Sequence, residues 1–97
     1  MIRETVVSAI RELADSLGPM AEGSEWHLFG SVNRNEPNPA DIDLMILCRN
    51  DRQADEFRSV IDIDSLPVPI HLALLTFEEA RKVGAVHLQR SSPIYPY

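Results

Sequence analysis

Basic residues are scarce in this chain: nine Lys and Arg stand against fifteen Asp and Glu, a formal net charge of −6 over 97 residues. Tight, nonspecific binding to a nucleic-acid backbone rests on neutralising many phosphates, and the few basic side chains are scattered along the sequence, so that mode of binding is disfavoured. The single cysteine, Cys48, excludes an internal disulfide and reads as a small buried thiol rather than a nucleophile. Aromatic residues make up only 6% of the chain, so Trp26 and Phe29 read as core rather than as a platform for stacked bases. There is no apolar run long enough to cross a membrane or to act as a signal segment, and the cytoplasm is the default compartment. Repeats, linkers and low-complexity segments are lacking too, which leaves one small domain over residues 1–97.

What is present is a regular alternation of patterns. Ile2, Val6, Ile10, Leu13 and Leu17 recur at helical spacing until Gly18-Pro19 stops them. Glu25 to Phe29 reads as a strand entering a Gly30-Ser31 turn, and Asn33 to Pro39 as a loop that faces the ligand. A second strand runs from Asp41 and ends at Cys48. Asn50 then caps a helix whose apolar stripe is Ala54, Phe57, Val60 and Ile61, with Asp62 and Asp64 at its end and in its exit loop. Leu66-Pro67-Val68-Pro69 delivers an extended segment to Leu75, and Thr76-Phe77-Glu78-Glu79 opens a last helix reaching about Gln89. The class is α+β, a small sheet backed by helices.

The chemistry concentrates in Gly30-Ser31 and, nine residues further on, Asp41-Ile42-Asp43. A small-residue turn leaving a strand exposes backbone N–H groups to phosphate oxygens. Residues two apart on a strand share a face, so Asp41 and Asp43 project together while Ile42, Leu44 and Ile46 line the other face. Two carboxylates so close repel unless water or a divalent cation compensates them. Magnesium suits that task, because it takes one or two carboxylates and completes its shell with water and phosphate oxygens. Taken alone, Asp41 after Asn38-Pro39 is an ordinary turn residue. His27 and His87 have no metal-ligand partner at recognisable spacing and read as structural or exposed.

Phe29-Gly30-Ser31, the spacer Val32 to Ala40, and Asp41-Ile42-Asp43 followed by Leu44 to Leu47 resemble the signature of the minimal nucleotidyltransferases of the DNA polymerase beta superfamily. The likeness continues through Pro67 to Leu74 as a third strand and Ser92 to Tyr95 as a closing tail, nearly the whole chain. The resemblance implies a mixed sheet in which the Gly-Ser turn and the Asp pair meet at one end. It also implies transfer of a nucleoside monophosphate from an NTP, ATP first, to a hydroxyl acceptor. On this likeness Asp41 and Asp43 hold Mg²⁺ or Mn²⁺, and Gly30 and Ser31 bind the nucleotide. Arg34, in the spacer loop, reads either as a charge clamp on a β or γ phosphate or as a solvated loop charge.

His71 stands where the family pattern usually places a third carboxylate, and imidazole can accept a proton or ligate Mn²⁺ in its stead. A domain that binds nucleotide or a partner without turnover is the alternative. So small a domain lacks room for a separate acceptor-binding unit. Similar minimal members commonly act with a separately encoded helical partner, including as antitoxins that nucleotidylate a paired HEPN-type protein, so the hydroxyl acceptor lies on a protein or on a small molecule, and a homo-oligomer stays open.

Overall fold

The computed structural model describes residues 3–37, 41–62, 64 and 69–97. Ile2, the Asn38 to Ala40 part of the spacer and the Leu66-Pro67-Val68 stretch therefore lie outside the described residues. Helix α1 (Arg3–Leu17) buries Val6 and Ile10 of the stripe that its spacing predicts, keeps Leu13 and Leu17 only partly buried against the core, buries Val7 and Ala14 as well, and runs into a 3-10 turn at Gly18–Ala21. Strands β1 (Glu25–Phe29), β2 (Ile42–Cys48), β3 (Ile70–Thr76) and β4 (Ser92–Tyr95) form one sheet in the order β3-β2-β1-β4. β1 is antiparallel to both β2 and β4, whereas β2 and β3 are parallel, so the sheet is mixed as the resemblance implies. Parallel pairing needs a crossover, and α3 (Asp51–Val60) lies within it.

Alternation along β2 divides two cores. Ile42, Leu44, Ile46 and Cys48 join Trp26, Leu28, Phe57 and the α1 stripe on one face. Met45 and Leu47 pack on the other face against Ala80 and Ala85, with Phe29, Ala73, Leu75 and Phe77 around them. Trp26 is fully buried, edge-on to Phe57, so it is core and not a stacking platform. Burial pushes the Cys48 thiol up to about 11, which outweighs the opposing pull of Arg58 and leaves it inert at neutral pH.

Asn50 caps α3 by accepting from the Gln53 N–H, as its sequence suggests. The stripe differs: Val60 is exposed, and Gln53 is buried instead. Gln53 is satisfied there, since its side-chain oxygen accepts from the Arg49 N–H and its amide donates to the Met20 and Glu22 carbonyls. Asp62 accepts from the Asp64 N–H just beyond the helix, in keeping with an exit loop.

Thr76 and Glu79 form a complete capping box at the start of α4 (Phe77–Val83). The Thr76 N–H bonded to the Glu79 carboxylate holds its pKa below the usual range. The expected single helix to Gln89 is broken, because Gly84 takes φ +64° and a left-handed residue ends one helix before α5 (Ala85–Leu88) begins. Buried His27 ties this region to the sheet, with its ring nitrogens 2.9 Å from Glu25 Oε1 and 3.1 Å from Ser91 Oγ. That is the structural role its spacing suggested. His87 is exposed.

Candidate active site

Strand register brings the distant signature residues together. Phe29 pairs with Asp43 across β1 and β2, and Asp43 pairs with His71 across β2 and β3, so the three lie side by side on one face at one end of the sheet. Asp41 sits one residue before β2, two positions from Asp43, and reaches the same place. The His71 ring lies between the carboxylates, with Nδ1 3.3 Å from Asp43 Oδ1 and Nε2 3.5 Å from Asp41 Oδ2. These separations exceed an ordinary N–H···O bond, so the ring is a neighbour of both acids and is locked to neither. The His71 side chain is 66% exposed, against 35% and 23% for Asp41 and Asp43.

Gly30 follows β1 directly and opens the short helix α2 (Gly30–Asn33), where a turn and loop were expected. Its φ is +76°, and a Cβ there would overlap the Asp43 carboxylate and come within 2.9 Å of Asp43 Cγ. Only glycine lets the backbone lie flush against that acid. Gly30→Ala should therefore cost about 1–3 kcal/mol of stability from the left-handed backbone alone and also displace the Asp43 side chain. Thermal melting of the variant checks this, and an unchanged midpoint would mean that Gly30 and Asp43 are not in contact.

The remaining residues of the spacer do other work. Asn33 Oδ1 accepts from both Arg3 Nε and Nη2, at 3.2 and 3.1 Å, and so braces α2 against α1 instead of facing a ligand. No local sequence signal announces this brace, because Arg3 is thirty residues away. Arg34 is bound to Glu36 at 2.6 Å on an exposed surface and is not part of the Asp41, Asp43 and His71 cluster.

Among the described residues no three His, Cys, Asp or Glu side chains form a ready cage for a metal ion. A hard cation does not need one. Two carboxylates on one face, beside a backbone that no side chain crowds, offer the oxygen donors that Mg²⁺ takes from protein, so the donor set fits a divalent ion completed by water and phosphate. A groove of about 770 Å³ lies elsewhere on this face, walled by Leu47, Phe77, Ala80 and Val86, and none of the three cluster residues lines it.

A nucleotidyltransferase domain model matches residues 7–93. The chain belongs to the nucleotidyltransferase domain family. No curated protein and no solved structure matches it. The matched span of this nucleotidyltransferase domain holds Gly30, Ser31, Asp41, Asp43 and His71, and the mixed sheet with its helices is the fold that the family implies. Among the described residues no helix is long and apolar enough to cross a membrane.

Proposed function

We propose that this domain is a metal-dependent nucleotidyltransferase that moves a nucleoside monophosphate from an NTP, ATP first, to a hydroxyl acceptor, with His71 in place of the third carboxylate. The observation that supports it most is the packing of Gly30 against Asp43, with His71 reaching both Asp41 and Asp43 from the neighbouring strand. Bound Mg²⁺, or Mn²⁺, would supply positive charge to the triphosphate and to the negative charge that develops during transfer.

The chain's own residues do the rest. Asp41 and Asp43 hold the ion. Gly30 permits close approach of the phosphates, and the Ser31 hydroxyl and N–H donate to a phosphate oxygen. Arg34 exchanges Glu36 for a terminal phosphate oxygen, at little cost because an exposed ion pair is worth at most about 1 kcal/mol. His71 Nε2 or Nδ1 takes the proton from the acceptor hydroxyl as its oxygen bonds to the α-phosphorus, and the bond to pyrophosphate breaks. The His71 ring is exposed enough for an acceptor on another protein to reach it. An antitoxin-like role toward a helical HEPN-type partner rests on the family likeness alone.

Calorimetric titration of ATP with Mg²⁺, with Mn²⁺ and with chelator tests the site. Either ion should tighten ATP binding, and equal affinity in chelator with a folded protein would remove the proposal. A second reading, a domain that binds nucleotide or partner without turnover, is favoured by His71 itself, and NTP consumption measured with both ions separates the two.

A further inference from the structure

The two edges of the sheet are treated differently. β4 is short, carries Pro93, meets β1 through a register shift at Trp26 and His27, and has the Ile94 carbonyl occupied by Arg11 Nε at 2.8 Å. Each of these features stops another strand from adding to that edge. β3, at the opposite edge, has none. Ile-His-Leu-Ala-Leu-Leu-Thr contains no proline and no Lys, Arg, Asp or Glu, and every position after Ile70 keeps solvent access, whereas β2 beside it is buried from Leu44 onward.

The hydrogen-bond phase says which groups are open. Ile42 N–H donates to the Pro69 carbonyl, so Pro69, His71, Ala73 and Leu75 turn their peptide groups toward β2. Ile70, Leu72 and Leu74 turn theirs outward, where no strand of the described sheet pairs with them.

We propose that the β3 edge is the interface of a homodimer, in which β3 of a second copy adds antiparallel to form one continuous sheet. The strand is complementary to itself about Ala73. In that register Leu72 faces Leu74 of the second copy as a hydrogen-bonded pair, and their side chains extend the apolar face shared with α1 and α3. Ala73 faces Ala73 as a closely spaced, non-hydrogen-bonded pair whose small side chains permit the approach, and no like charges oppose each other. A twofold axis relating antiparallel strands of one sheet is perpendicular to it, so both Asp41, Asp43 and His71 clusters open on the same face of the dimer. The inference rests on the sheet and is independent of the transfer reaction.

The test is amide hydrogen exchange by NMR on the unmodified chain, from micromolar to millimolar concentration, alongside sedimentation analysis. His71, Ala73 and Leu75 should be protected at all concentrations. Leu72 and Leu74 should exchange freely in dilute protein and slow at least tenfold as a dimer forms. A monomer throughout, or a dimer in which the Leu72 and Leu74 amides stay unprotected, overturns the proposal. Ala73→Lys puts like charges opposite each other at the axis and should leave a folded monomer. A folded Ala73→Lys dimer with Leu72 and Leu74 still protected would likewise overturn it.

Discussion

Asp43→Asn should abolish metal-dependent ATP binding while the metal-free domain melts at or above its usual temperature. Asn keeps the shape of the group packed against Gly30 and keeps an oxygen facing His71 Nδ1, so the packing of α2 on β2 survives. What changes is charge. One of two neighbouring anions is gone, which relieves repulsion in the metal-free state and removes the donor that a hard cation requires. Loss of mere outer-shell support lowers metal affinity by about 10–100-fold, so loss of a direct ligand should exceed about 10² in the metal-dependent part of the binding constant. Titration calorimetry gives that constant, and thermal melting without ligand gives the other half of the prediction. A large fall in the metal-free midpoint would show that Asp43 is a structural hydrogen-bond acceptor and not a metal ligand.

The parts of the site that the sequence makes legible are those governed by short periods. Alternation along β2 alone places Asp43 opposite in face to Leu44 and Ile46, and the structure buries those two while keeping Asp43 partly exposed. The same period of two carries His71 to the face of Asp43 once β2 and β3 are known to be parallel neighbours, a fact about topology that the structure supplies. Contacts between distant segments are another matter. The Arg3 to Asn33 brace, the hydrogen bond between His27 and Ser91 and the burial of Gln53 by the Met20 and Glu22 carbonyls depend on how elements dock, which no local pattern encodes. The break at Gly84 was visible as a residue but not as a boundary. A glycine inside a helical run costs only about 1 kcal/mol, and here Ala80 and Ala85 pack on the same core from either side of it.

Replacement of His71 gives the most direct reading of how this site differs from a three-carboxylate one. As a positioned proton acceptor, His71 should cost on the order of 10² in transfer rate when replaced by Ala. ATP binding with Mg²⁺ should persist, since Asp41 and Asp43 both remain. His71→Asp puts a third carboxylate in register with Asp43, and the metal-free protein should lose stability through the added repulsion. With Mg²⁺ present that repulsion is compensated, and the variant should transfer at a rate near that of the unmodified chain. The two substitutions thus separate chemistry from packing, because Ala lowers rate with little effect on melting, whereas Asp lowers metal-free melting with little effect on rate. If instead the unmodified chain is inactive and His71→Asp turns over, the domain is a degenerate member that lacks only a carboxylate. Should neither substitution alter the rate of an active enzyme, the imidazole 3.3 Å from Asp43 takes no part in transfer, and the proton leaves the acceptor by another route.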